Sequence, residues 1–187
     1  MMVSAHQIAT ERLLLRRWRA ADRDTFARLN ADPVVMEHFP RVQSRAESDA
    51  VADLIEAEFE AHGYGLWAVE VPGEASFIGF VGLSVPNFEA PFMPAVEVGW
   101  RLDQANWGRG YATEAARAAV ADGFRRVGLA EIVSFTVPAN VRSRRVMERL
   151  GMTHDPVDDF EHPRIPERHR LRHHVLYRLS RDRWQGA

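Results

Sequence analysis

The chain has no cysteine, which excludes disulfides, Cys-ligated zinc, iron–sulfur clusters and thiol nucleophiles. It has no lysine either: all 24 basic residues are arginine, set against 26 acidic residues for a net charge of −2. That near balance leaves no general positive field for a nucleic-acid partner. No apolar run approaches the roughly 20 residues that span a bilayer. Residues 1–10 lack the charged, apolar and small-residue regions of a signal peptide. A cytoplasmic protein without a membrane partner is the expectation. Repeats, low-complexity tracts and Ser/Gly-rich linkers are also absent, so residues 1–187 read as a single domain. With 46% hydrophobic and 27% charged residues, the chain has the means to fold around a core, and disorder is excluded.

Periodicity gives an order of elements. The run 12–18, with Leu13, Leu14 and Leu15, reads as a strand. Residues 22–36 read as a helix carrying Phe26 and Leu29, broken at Pro33. Ser44-Arg45-Ala46-Glu47 is a capping box; the helix behind it places Val51, Leu54, Ile55 and Phe59 inward and stops at Gly63. Three strands follow at 66–71, 76–85 and 96–102, joined by short turns as in an antiparallel meander. Gly99 in the third suggests a bulge. A helix from about 111 buries Ala112, Ala116, Ala119, Val120 and Phe124. A buried strand at 131–137, a helix from Asn140 to Gly151, a loop at 154–169 and a strand at 174–179 complete the order β-α-α-β-β-β-α-β-α-β. This is a mixed α/β (α+β) domain and not a regular βαβ repeat. The last strand reads as exposed and able to pair across a homodimer.

The junction Trp107-Gly108-Arg109-Gly110-Tyr111-Ala112-Thr113-Glu114 carries the strongest chemical signal. Two glycines let backbone N–H groups converge on an anion, and the helix start adds roughly half a positive charge. Arg109 adds a full one, so a diphosphate suits the turn. A plain tight turn needing φ > 0 would use the same glycines. The Lys-Ser/Thr of a Walker loop and the third glycine of a dinucleotide fingerprint are both missing.

Within this order of elements, the junction resembles the GNAT superfamily of acyl-CoA-dependent N-acyltransferases. The family motif Gln/Arg-x-x-Gly-x-Gly/Ala is matched by Trp107-Gly108-Arg109-Gly110-Tyr111-Ala112, with Trp107 departing at the first position. The runs Glu97-Val98-Gly99-Trp100 and Gly110-Tyr111-Ala112-Thr113-Glu114-Ala115 are similar to the branch that holds the ribosomal-protein alanine N-acetyltransferases, where that departure is familiar. The opening Glu11-Arg12-Leu13-Leu14-Leu15-Arg16 fits the same branch. The resemblance implies a largely antiparallel sheet splayed after its fourth strand, helices on both faces, and acetyl-CoA as co-substrate. It implies that Trp100, Arg101 and Leu102, residues 107–113 (Trp107, Gly108, Arg109, Gly110, Tyr111, Ala112 and Thr113), Asn140 and Ser143 bind it. Asn140 also reads as a helix N-cap and Ser143 as a first-turn residue. Arg142, Arg144 and Arg145 either meet the 3′-phosphate or form a solvated face.

The resemblance places Glu97 near the acyl carbonyl, where a carboxylate can take the proton of an attacking amine; a Glu that only orders neighbouring strands is the alternative. The family's tyrosine, a general acid on the second of the two cofactor-side helices, is replaced here by Met147, and Tyr177 is an outside candidate. Without a donor, a thiolate with a solution pKa of about 8.5 can still leave. The histidines 154, 162, 169, 173 and 174 show no ligand spacing, so no metal is expected. Their loop, with Asp158 and Asp159, reads as either a bare surface loop or an acidic acceptor wall, opposite a turn holding His38 and Phe39. The expected function is an acetyl-CoA-dependent N-acetyltransferase acting on a peptide N-terminus or small-molecule amine by direct attack in a ternary complex. A non-catalytic acyl-CoA-binding sensor or immunity module of the same fold is the alternative.

Overall fold

The computed structural model describes residues 7–184 and Gly186; part of the 1–10 segment read above lies outside them. One continuous nine-stranded sheet organises the chain. Strands β1 (Ile8–Ala9), β2 (Leu14–Arg16), β3 (Leu66–Glu70), β4 (Gly79–Ser84) and β5 (Glu97–Leu102) succeed one another antiparallel. β6 (Glu131–Thr136) joins β5 in parallel at one register pair, Glu97 with Val133. β9 (His173–Ser180) pairs antiparallel with β6 along six residues, and the two-residue strands β7 (Thr153–His154) and β8 (Phe160–Glu161) pair with β9.

Helix α1 (Asp22–Ala31) and helix α2 (Arg45–His62) cover one face through Phe26, Leu29 and Ala52, packed on Ala68 and Phe80. Helix α3 (Tyr111–Asp122) and helix α4 (Val141–Arg149) cover the other, where Ala115, Ala116, Ala119, Val146 and Met147 meet Val81, Val98 and Ile132. A third cluster of Phe92, Val133, Phe160 and Leu176 backs the β6–β9 region. The local rules behind these elements are ordinary ones. Ser44 and Glu47 form the reciprocal capping box of α2, and Gly63 ends it at φ 70°. Among the described residues no helix is long and apolar enough to cross a membrane.

Four expectations change. Helix α1 stops at Ala31, because Asp32 precedes Pro33 and turns extended, the conformation a proline imposes on the residue before it. Leu54 faces outward at 62% exposure, while Ser48 takes a buried position instead. Gly99 makes no bulge: the register runs unbroken from Gly79–Leu102 to Ser84–Glu97. The last strand is interior, between β6 and β7, because β7 and β8 form within what the sequence presents as a loop. An exposed edge there is thus no route to a dimer.

Candidate active site

The turn after β5 is built as an open backbone cradle. Gly108 and Gly110 hold φ of 75° and 82°, and nothing lies within 4 Å of where a Gly108 Cβ would stand. Gly110 is the N-cap of α3 and offers no side chain to the first-turn amides, which leaves those N–H groups to a ligand. Thr113 Oγ1 is enclosed beside them without a hydrogen-bond partner. Glu114 anchors the turn from outside by accepting from Thr10 Oγ1 at 2.6 Å and Arg12 Nε at 2.7 Å, while Arg12 Nη1 donates to the Arg109 carbonyl at 3.0 Å. Arg109 stays exposed, 3.6 Å from Glu74. The ring of Tyr111 and the methyl of Ala112 turn into the core, so only their backbone faces the cradle.

Beyond Glu97 and Val133 the strands β5 and β6 diverge, and β5's backbone groups on that side have no neighbouring strand. Trp100 and Ser143 reach across on the α4 side, with the indole Nε1 donating to the hydroxyl at 3.2 Å. Asn140 caps α4 by accepting from Ser143 N at 3.2 Å. Trp107 donates Nε1 to the Leu102 carbonyl at 2.8 Å and lies under the Arg142 guanidinium, 4.6 Å from its ring centre. The cation that Trp107 lacks thus returns from α4.

Alternation sends Glu97, Gly99 and Arg101 to the opposite face. Glu97 is half-buried there, and desolvation, reinforced by the charge of Glu58 on α2, pushes its carboxyl up to about 8. A Gly99 Cβ would stand 3.6 Å from Glu97 Oε1, so the glycine keeps space beside the carboxylate. Glu58 is itself raised by burial, and Tyr64 is raised by burial and then by the charge of Glu58. Arg101 donates Nη1 to Asn30 Oδ1 at 2.6 Å and stacks on Phe39 at 4.2 Å. His38 Nδ1 is enclosed without a partner, and burial lowers the ring's pKa.

A family model described as "Acetyltransferase (GNAT) domain" matches residues 12–153. The chain belongs to the GNAT acetyltransferases. It is 32% identical over 175 residues to an FsC-acetyl coenzyme A-N(2)-transacetylase of Aspergillus fumigatus, covering 87% of this chain and 71% of that one. An acetyltransferase structure from Agrobacterium tumefaciens superposes with a TM-score of 0.75 at 28% identity, covering 96% of each chain. A GNAT-family acetyltransferase from Bacillus anthracis gives 0.74 at 25% identity, covering 94% of this chain and 98% of that one.

GNAT acetyltransferases use acetyl-CoA as co-substrate, and the residues of this chain fit it. The bare amides and enclosed Thr113 hydroxyl suit the diphosphate, and the unpaired side of β5 suits the amides of the pantetheine arm as a missing strand would. Along α3 a groove of mixed charge, lined by Glu11, Arg12, Gly110, Thr113, Glu114, Arg117 and Arg149, adjoins the cradle, a surface the sequence did not single out.

The remaining sequence candidates separate. Arg101 leaves the cofactor side altogether: its side chain lies on the opposite face and its carbonyl is turned toward β4. Asp158 is bound by Arg178 Nε at 2.7 Å, and Asp159 accepts from Leu176 N at 3.3 Å and lies 2.7 Å from His154 Nε2. Those carboxylates pin the loop onto β9 and do not form an open acidic rim. Tyr177 accepts from Arg144 at 3.2 Å and reaches Glu148 at 3.4 Å; Met147 is buried. Glu58 and Asn30 were missed. Asn30 carried a signal, a polar residue on the Phe26–Leu29 side of α1, whereas Glu58 had none, because an acid beside Phe59 on an amphipathic helix reads as solvated.

Proposed function

We propose that this GNAT protein transfers the acetyl group of acetyl-CoA to a primary amine by direct attack in a ternary complex. The carrying observation is Glu97 at the single β5–β6 register pair, on the face opposite the cofactor cradle. Acetyl-CoA supplies an activated thioester. The N–H groups of Trp100 and Leu102, on the edge of β5 turned away from β4, hold the carbonyl oxygen as negative charge develops on it. Glu97, unprotonated, takes the ammonium proton before attack, and a carboxyl raised to about 8 is matched to an amine near neutrality. Met147 offers no proton and the Tyr177 hydroxyl is engaged with α4, so no side chain protonates the departing thiolate; it takes up the second proton, which the nitrogen sheds as the amide forms. The chain has no cysteine to carry the acetyl group, which supports direct transfer.

Residues 108–113, Trp100, Leu102, Asn140 and Ser143 form the cofactor side of this reading, and His38 and Phe39 the acceptor side. Asp158 and Asp159 support the late loop. The runs around Glu97 and Gly110 favour the ribosomal-protein alanine N-acetyltransferase branch, with a peptide N-terminus or small amine as acceptor. The relative's name likewise specifies transfer from acetyl coenzyme A to a nitrogen. Thiol release from acetyl-CoA with a panel of amines tests the proposal. Tight CoA binding without thiol release from any of them identifies the sensor alternative.

A further inference from the structure

Among the described residues Arg101 is a cation without an acid. Burial alone moves its pKa, down to about 10. Arg16, fully buried where Arg101 is half-buried, has Asp22 at 2.8 Å and Glu70 at 2.7 Å. Arg101 has instead an amide and two aromatic rings: Asn30 Oδ1 at 2.6 Å, Phe39 at 4.2 Å and Phe80 at 5.4 Å. Asn30 is fixed in turn by donating to Ser48 Oγ at 2.8 Å. With Nη1 committed to Asn30 and Nε enclosed without an acceptor, the Nε–Nη2 edge is the one left over. That edge takes a carboxylate through two parallel hydrogen bonds.

The surroundings add an imidazole that burial holds toward its neutral form, and one further cation. His38, next to Phe39, has its Nδ1 enclosed and unpartnered. Arg170 of the late loop donates to the Glu37 carbonyl at 3.2 Å, bringing a second guanidinium to this turn. The turn's own acid, Glu37, is 57% exposed and lies 3.8 Å from His38 Nε2. At the other end of the same strand face the sign reverses, with Glu97 and Glu58.

We infer that Arg101 is a specificity-determining residue that binds a carboxylate carried by the acceptor, so that the amine acetylated here belongs to a zwitterion. The ammonium end lies toward Glu97 and Glu58, the carboxylate end past Phe39 at Arg101. This deepens the transferase reading and rests on it. Four residues of strand separate the Cα atoms of Glu97 and Arg101 by about 13 Å, and two long side chains shorten that span. The matching acceptors run from an amino acid to a tripeptide in length.

The test compares glycine, diglycine and triglycine, and the corresponding leucine series, each with its C-terminal amide. Thiol release gives kcat and KM for both substrates. Titration of the same compounds onto the CoA-bound protein reads binding without turnover. The wild-type protein is expected to favour the best carboxylate over its amide by at least about tenfold, the size of one charge-assisted pair. In Arg101→Gln that preference disappears through the acceptor KM, with the acetyl-CoA KM and the melting temperature held. Arg101→Lys keeps the charge and part of the preference, and covers the case in which the Gln variant does not fold. Equal or better binding of the amides by the wild-type protein overturns the carboxylate subsite and leaves the transferase intact. So does a loss in Arg101→Gln confined to the acetyl-CoA KM. If acetyl-CoA itself does not bind, the transferase reading falls, and this inference with it.

Discussion

At the scale of single residues, Gly110 and Glu97 make opposite demands on the same reaction. Gly110 is needed for what it lacks: at φ 82° a side chain is strained, and a branched one would also crowd the cradle. Gly110→Val is expected to raise the Kd for acetyl-CoA by at least tenfold, read by calorimetry, while circular dichroism stays native. Unchanged affinity in a folded variant would remove the diphosphate from this turn. Glu97 is needed for its carboxylate. Its Gln variant is expected to lose about 10²–10⁴ in kcat, the usual span for a general base, with little change in CoA affinity. Because the group is neutral below about 8, wild-type kcat/KM should climb with pH toward that value and level above it, and the Gln variant should lack the climb. A wild-type profile that levels near pH 5, or a Gln variant within about threefold of wild type, makes Glu97 structural.

Among the elements, the join of β2 to α1 sets the acceptor face. Arg16, on β2, donates to Asp22 at the first turn of α1 through two nitrogens at 2.8 and 2.9 Å, to Glu70 on β3, and to the Ser76 carbonyl. Asp22→Ala leaves that guanidinium enclosed with half its acids, and should cost about 3 kcal/mol of stability. Urea unfolding measures it, and a loss below about 1 kcal/mol would mean that Glu70 and the carbonyl suffice. The late loop makes a parallel case. Replacing Asp158 and Asp159 by Asn removes the negative charge paired with Arg178 and His154 and leaves each side chain one acceptor oxygen, so the loss is expected in melting temperature and not in the amine KM. A raised amine KM with an unchanged melting temperature would restore the acidic wall. The periodicities that announced α2, α3 and β4 were legible because each element follows its own local rule. β7 and β8 were not, because two-residue strands exist only where a partner, here β9, supplies the hydrogen bonds.

For the whole molecule, pH links the site to stability in two windows of opposite sign. Glu97 holds its proton to about 8 in the folded protein but releases it near 4.5 when unfolded. The folded state therefore binds more protons between those values, and stability falls as pH rises through them. His162, half-buried among Phe88, Phe160 and His174, is lowered to about 4 by burial and then by His174. The unfolded chain takes that proton below about 6.5, so this contribution is lost as pH falls from there toward 4. Between about 6.5 and 8 the Glu97 slope stands clear of His162. Denaturant midpoints across pH 5–9 should fall in that upper window for the wild type and flatten for Glu97→Gln. A His162→Gln protein should instead lose sensitivity below 6.5, and no change in either variant would remove both linkages.

By itself the sequence determined the family, the order of the main elements and the glycine cradle, because these depend on near neighbours: a cap and its third residue, a strand's alternation, a turn that only glycine can make. Tertiary structure decided everything that depends on distant groups arriving together. Glu97 becomes a raised carboxyl only when α2 brings Glu58 and the sheet excludes water. Arg101 is separated from the cofactor side only by the strand's alternation, and is held only when Asn30 and Phe39 close over it. Asp158 and Asp159 are acids in the sequence and loop anchors in the fold, since Arg178, His154 and the Leu176 amide reach them first. Charge is written in the chain, but its solvation and its partners are properties of the packed molecule.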